Sequence, residues 1–251
     1  MHTAIDNYLR KHNLEYFKPS VALFDMDGVL YDSMWNHATS WKESMQRYGI
    51  HMTDMDAFRY EGMRGVETIQ QLAKVQLGRV VSDDEAAEMY GYKSEVYASK
   101  GVATLIPGVH KLQEELHRRG MKIGVVTGSG QPTLISRILD DFKGLVSSDI
   151  IVTAHDVKRG KPQPDPYLVG MQKATIILQR EGIMSADNVL KPWQTMVVEN
   201  APLGVRAAAA AQCFTVAVNT GPLPDEMLSE AGADIVFHNM DELRQFVEKF
   251  F

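Results

Sequence analysis

Two carboxylates stand two residues apart in Phe24-Asp25-Met26-Asp27-Gly28-Val29-Leu30, at the end of a β-rich run. In an extended chain, alternation turns Asp25 and Asp27 to the same side. Carboxylates that close repel one another, so they call for a cation or a shared proton. A hard cation such as Mg²⁺ suits ligands that are all oxygen. Taken alone, the same letters also describe a solvated Asp-x-Asp-Gly turn.

Three further segments carry chemistry of a compatible kind. Thr127-Gly128-Ser129-Gly130-Gln131-Pro132 follows another β-rich run and opens a helical pattern. A hydroxyl, unobstructed backbone N–H groups and a helix N-terminus suit an anion such as phosphate. A plain strand-to-helix turn with Ser129 near the cap fits the same letters. Gly160-Lys161-Pro162-Gln163-Pro164-Asp165-Pro166 holds one lysine in a stiff loop. Its prolines fix where the ammonium points, and an ammonium is a point charge for phosphate. Val197-Val198-Glu199-Asn200-Ala201-Pro202 ends another strand pattern with a carboxylate and an amide, both oxygen donors for a hard cation. Asn200 also reads as the cap of the helix that Pro202 opens, and the two uses are compatible.

Elements must bring these segments together. Apolar β-rich runs at 21–25, 122–127, 150–153, 195–199 and 214–218, with a sixth at 235–237, read as strands covered on both faces. Helical patterns separate them, as in Val109, Leu112 and Leu116 before the stop Arg118-Arg119-Gly120. The alternation predicts a doubly wound, Rossmann-like parallel sheet of the α/β class. Its ligand crevice lies at the carboxyl ends of the strands. Between 35 and 104 no strand is evident, and helical patterns at 36–48, 66–76 and 83–99 fill the gap. Ser82-Asp83-Asp84-Glu85 reads as a capping box for the last of them. The expected organisation is a helical extension over 1–19, a core over 20–34 and 105–251, and an inserted all-helical cap over 35–104.

Composition narrows the function classes. The chain has 251 residues, 45% hydrophobic and 23% charged, with a net charge of −6. Such a chain is globular, and its charge does not favour nucleic acid or an anionic membrane as partner. A phosphate site must be built locally, against the overall sign. The single cysteine, Cys213, fits a reducing compartment. No run reaches the roughly 18 apolar residues of a membrane span, and no secretory signal is visible. The expectation is a cytoplasmic protein, a monomer or weak homo-oligomer.

In this order, carboxylates, hydroxyl, ammonium and a final carboxylate with an amide resemble the haloacid dehalogenase superfamily of phosphotransferases. The closest likeness is to the branch of β-phosphoglucomutases and small-molecule phosphatases with a helical cap. The resemblance covers residue 20 onward and implies roles. Asp25 is the nucleophile that takes the phosphoryl group. Asp27 is the general acid/base, with its main-chain carbonyl on Mg²⁺. Thr127, Gly128, Ser129 and Lys161 hold phosphoryl oxygens, and Glu199 and Asn200 complete or support the metal site. A dehalogenase normally lacks a carboxylate at the place of Asp27.

The chain departs from the pattern of many members in having Glu199-Asn200 where they have two acids, so one negative charge is missing. Glu61, in the cap loop Arg59-Tyr60-Glu61-Gly62-Met63-Arg64-Gly65, resembles a carboxylate of the inorganic pyrophosphatase-like members and is expected to supply it. A solvated loop acid is the bland alternative. The resemblance also points His37, Arg64 and Lys93 at the substrate from the cap. The expected activity is Mg²⁺-dependent hydrolysis of a small phosphorylated metabolite, inorganic pyrophosphate favoured. The alternative is a β-phosphoglucomutase. A catalytically inactive phosphate-binding module is a third reading, which the intact Asp25, Asp27, Thr127 and Lys161 disfavour.

Overall fold

The computed structural model describes residues 2–130 and 132–251; Met1 and Gln131, the latter part of the expected phosphate loop, lie outside the described residues. After a helix α1 (His2–His12), six parallel strands alternate with helices. The strands are β1 (Val21–Phe24), β2 (Lys122–Val126), β3 (Val146–Val152), β4 (Thr195–Glu199), β5 (Phe214–Val218) and β6 (Ile235–Phe237). They form one sheet in the order β3-β2-β1-β4-β5-β6. The strand order reverses at β1, and the crevice for a ligand opens at its carboxyl end.

Alternation along β1 supplies both faces of the core. Ala22 and Phe24 pack with α6 (Val109–Arg118), α7 (Pro132–Asp141) and α11 (Met240–Phe250), through Leu112, Ile138 and Phe246 among others. Val21 and Leu23 pack on the other side against α8 (Asp165–Arg180) and α9 (Pro202–Ala210), through Tyr167, Met171 and Ala207. Helix α10 (Asp225–Ala231) covers β5 through Leu228. Phe24 is level with Val125 of β2 and Val198 of β4. This register brings Asp25 level with the ends of both neighbouring strands. No helix among the described residues is long and apolar enough to cross a membrane.

Two sequence expectations shift here. Strand β3 starts at Val146 rather than 150, because its exposed Ser148 and Asp149 lie on a sheet edge and read as loop. Helix α3 (Asp54–Arg59) is additional, and a capping box between Thr53 and Asp56 opens it.

Helices α2 (Met34–Gln46), α3, α4 (Gly65–Leu77) and α5 (Asp83–Ser99) stand between β1 and β2. They build their own apolar cluster around Met45, Phe58, Ile69 and Met89. The two connecting segments run side by side, with the Asp32 N–H donating to Thr104 and the Ile106 N–H to Leu30. The expected capping box of α5 is only half made. Ser82 accepts from the Glu85 N–H, while the Glu85 carboxylate pairs with Arg79 instead.

The N-terminal helix is bolted to the core by one aromatic. Tyr8 is buried, packs edge-on against Phe17 and Phe214, and donates its hydroxyl to the Gln212 carbonyl at 2.7 Å. Tyr8→Ala leaves a large cavity and strips that carbonyl of its donor. It should destabilise the fold by on the order of 3 kcal/mol or more, read by urea unfolding. Wild-type stability would show that α1 is an appendage.

Asp234 gives a pH-dependent test. Its carboxylate accepts the Thr215 N–H at 2.8 Å, continuing the β5–β6 pairing. Burial pushes its pKa up to about 6, against the opposing pull of that N–H and of Lys11. An acid whose folded pKa is raised binds more protons folded than unfolded, so this group costs stability as pH rises from about 4 through 6. Asp234→Asn keeps an acceptor and removes the charge. It should raise the melting temperature at pH 8 by a few degrees and leave it nearly unchanged at pH 4. An equal shift at both pH values would contradict the account.

Candidate active site

The carboxyl ends of β1, β2 and β4 converge on one buried ammonium. Lys161 Nζ lies 2.5 Å from Asp25 Oδ1, 2.7 Å from Glu199 Oε1 and 3.2 Å from the Val126 carbonyl. Lys161, Asp25 and Glu199 are all nearly inaccessible to solvent. Burial pushes the Asp25 carboxyl up to about 7, although Lys161 opposes it; Glu199 and Asp27 push it further. Burial alone would lower the Lys161 pKa, and the two carboxylates more than reverse this, so the ammonium keeps its charge.

Asp25 Oδ2 and Asn200 Oδ1 are buried acceptors that receive no hydrogen bond. Buried acceptors without donors are costly, and a hard cation satisfies them. No group of three or more His, Cys, Asp or Glu side chains converges as a metal cluster among the described residues. The oxygen set that fits a cation is therefore the Asp25 carboxylate with the Asn200 amide. Asn200 does not cap the following helix, whose cap position is Ala201. Gly28 has φ +79°, and a Cβ there would overlap the Asn200 side chain. The turn after Asp27 thus needs glycine both for its backbone and to admit the amide.

Glu199 differs from the expected metal ligand. Its Oε1 takes Lys161 and the Tyr167 hydroxyl, and its Oε2 accepts the Asn200 N–H at 3.1 Å. With both oxygens engaged, it anchors the lysine rather than facing a cation.

Asp27 is held from the cap. Its Oδ1 accepts the Ser33 hydroxyl at 2.5 Å and lies 3.1 Å from His37 Nε2. Lys93 Nζ is 2.7 Å from His37 Nδ1. An ammonium only donates, so Nδ1 is the acceptor and Nε2 carries the proton that Asp27 receives. Burial alone would raise the Asp27 pKa; His37 and Ser33 outweigh it and hold the carboxylate ionised. Burial drives Lys93 down to about 8, against the pull of Glu61 and Asp27. Its ammonium sits 5.1 Å from the Trp41 ring centroid, 5.7 Å from that of Tyr90 and 5.1 Å from that of Tyr97. Aromatic faces attract a cation and replace part of the lost hydration.

The cap closes over this floor. A cavity of about 50 Å³ is lined by Asp27, His37, Glu61, Lys93, Gly128 and Ser129, among others. It has room for roughly three to five water-sized groups. Burial, reinforced by Asp27 and Asp25, pushes Glu61 up to about 8. Gly62 of the same loop passes so close to Lys161 that a Cβ would meet its side chain at 2.9 Å. Thr127 is buried, and its Oγ1 accepts the Ser129 N–H at 3.0 Å, which shapes the expected phosphate loop.

Arg64 lines an adjoining cavity with Thr127, Gly128 and Lys161. Its guanidinium donates to the Lys158 carbonyl at 3.1 Å and stands 3.9 Å from Glu67, outside the small cavity. Arg64 caps α4, and its side chain runs over Gly160, where a Cβ would crowd it. In the closed form it clasps cap to core. Ser33, Tyr167 and the aromatic ring around Lys93 went unnoticed in the sequence. Each reads there as a helix cap or a core aromatic, and only the fold shows where its polar atom or ring face points.

The comparisons agree with this geometry. The model of the haloacid dehalogenase-like hydrolase family matches residues 22–218. Hexitol phosphatase A of Escherichia coli is 31% identical over 221 residues, 88% of this chain and 91% of that protein. Validoxylamine A 7′-phosphate phosphatase of Streptomyces hygroscopicus is 30% identical over 224 residues, 89% and 95% of the two chains. A solved Bacteroides vulgatus structure, provisionally assigned as a β-phosphoglucomutase, superposes with a TM-score of 0.89. It is 38% identical, over 99% of this chain and 95% of that one. With a family match over most of its length, the chain belongs to the haloacid dehalogenase-like hydrolases.

Proposed function

We propose that the chain is a Mg²⁺-dependent phosphohydrolase acting through a phosphoryl group carried on Asp25, with inorganic pyrophosphate its favoured substrate among small phosphorylated metabolites. The observation that carries this reading is the Asp25 carboxylate, held on one oxygen by Lys161 and unpartnered on the other, beside a cavity of about 50 Å³. Asp25 Oδ2 and Asn200 Oδ1 fit a hard cation, and the resemblance adds the Asp27 main-chain carbonyl. Bound there, Mg²⁺ supplies positive charge against the phosphoryl oxygens.

The remaining steps belong to the side chains. Asp25 attacks phosphorus in line, and the bond from phosphorus to the leaving oxygen breaks. Lys161 offsets charge on the phosphoryl oxygens. Water then attacks phosphorus, Asp27 takes its proton, and the bond to Asp25 breaks. A carboxylate held ionised by Ser33 and His37 is suited to that second step. It is less suited to protonating a sugar alkoxide. Phosphate leaves without such help, which together with the small cavity favours pyrophosphate. The substrates named for the relatives, hexitol and other sugar-like phosphates, form the rival class.

Purified protein with Mg²⁺ should release phosphate from pyrophosphate faster than from hexitol and hexose phosphates, and should not isomerise β-glucose 1-phosphate. Asp25→Asn should fold normally and lose on the order of 10³-fold or more in rate. A folded Asp25→Asn protein with wild-type turnover would remove the nucleophile. Preference for a hexitol phosphate would keep the reaction and replace the substrate.

Glu61 tests the metal reading separately. It is an acid crowded against Asp25 and Asp27, which a cation would relieve. Glu61→Gln should raise the Mg²⁺ concentration for half-maximal rate by roughly tenfold. Asn200→Asp in a Glu61→Ala background should recover part of that loss, since charge returns from the core side. An unchanged Mg²⁺ requirement in Glu61→Gln would leave Glu61 as a cavity wall only.

A further inference from the structure

Tyr167 is the third residue of α8 and wholly buried. Its ring belongs to the apolar cluster between β1 and α8. For that purpose phenylalanine would serve as well. The hydroxyl is extra, and a buried hydroxyl costs free energy unless it is bonded. Here it donates to Glu199 Oε1 at 2.5 Å.

That oxygen is the one Lys161 uses. The ammonium has three protons and three acceptors, in Asp25, Glu199 and the Val126 carbonyl. Its position depends on where Glu199 stands. Glu199 is confined on each side by something that cannot move far. The Asn200 N–H holds Oε2, and α9 approaches so closely at Gly204 that a Cβ there would overlap the carboxylate. The phenol closes the remaining freedom. Without it, Oε1 keeps only the lysine as partner. The carboxylate can then turn towards the cation position and draw Lys161 with it.

We propose that Tyr167 is a positioning residue, whose hydroxyl fixes the Glu199 carboxylate and through it the Lys161 ammonium beside the phosphoryl position. This rests on the reading that Lys161 holds phosphoryl oxygens. Tyr167 does not line the cavity, and its ring face lies 5.4 Å from the Lys161 ammonium, a contact that phenylalanine keeps, so the effect of the hydroxyl is the part carried through Glu199.

The test is a double-mutant cycle with Tyr167→Phe and Glu199→Gln, read in two ways. One readout is the affinity for inorganic phosphate in the presence of Mg²⁺, by calorimetry. The other is turnover of p-nitrophenyl phosphate. Tyr167→Phe removes one oxygen and no packing volume, so its melting temperature should stay close to wild type. Phosphate affinity should fall at least about threefold and kcat about tenfold, as for a lost hydrogen bond to a charged group. In the Glu199→Gln background, Tyr167→Phe should change neither quantity further. Wild-type affinity and kcat in Tyr167→Phe overturn the proposal. Equal losses in both backgrounds also overturn it, because Tyr167 would then act independently of Glu199. If the wild type turns over no phosphorylated compound while the cycle in phosphate affinity behaves as expected, the positioning role stands and the hydrolase reading falls. A wild type that binds no phosphate overturns both.

Discussion

A buried ammonium is the fixed point of this molecule. Lys161 is out of reach of water, and a cation there is tolerable only with acceptors at every proton. The acceptors come from three different strand ends, Asp25 after β1, the Val126 carbonyl on β2 and Glu199 on β4. They meet because β1 lies between β2 and β4 and the three run in level register. A slip of one residue in either pairing would turn a carboxylate to the opposite face of the sheet. The sheet order is thus a condition of the site, and the apolar runs that build the sheet also aim its polar ends.

The second ammonium makes the cap part of the same system. Lys93 reaches Asp27 through His37, and both come from cap helices, α5 and α2. Trp41, Tyr90 and Tyr97 surround Lys93 with ring faces. The closed cap therefore sets the charge of a core carboxylate as well as excluding water. Opening it would leave Asp27 with Ser33 alone among these donors. This chain of contacts links the Asp27 carboxylate to the cap, and cap and core residues together line the small cavity.

The parts legible in the sequence were those whose chemistry lies at an element's end. Asp25, Asp27 and Asn200 stand where apolar strand runs stop, and Lys161 stands in a stiff proline-rich loop before α8; a polar residue at a strand end has no packing reason to be present. The parallel sheet was legible for the complementary reason, since its strands are buried on both faces. Other features were hidden by their surroundings. Tyr167 sits at an apolar helical position, and nothing in its spacing tells a useful hydroxyl from a core ring. The acidic letter of Glu199 indicated a metal ligand, but the ammonium, a phenol and a backbone N–H occupy its oxygens. Arg64, which the resemblance pointed at the substrate, stands three residues after Glu61 and donates across the seam to the Lys158 carbonyl. The exposed edge of β3 and the short α3 show the same limit, where local polarity conceals an element that tertiary contacts complete.

Charge explains why these pieces belong together. Asp25, Asp27, Glu61 and Glu199 face Lys93 and Lys161 within one desolvated space. Four carboxylates against two ammonium groups leave two negative charges in excess when all are ionised. Burial first, and then the neighbouring carboxylates, push Asp25 up to about 7 and Glu61 up to about 8. An anionic substrate would meet repulsion in such a pocket. One divalent cation, held by the unpartnered oxygens of Asp25 and Asn200, would cancel two of these charges and favour the ionised carboxylates. With Asn200 in place of a second acid, this balance includes Glu61, so full neutralisation waits for the cap. Binding of cation, anion and cap are then steps of one electrostatic closure, each making the next less costly.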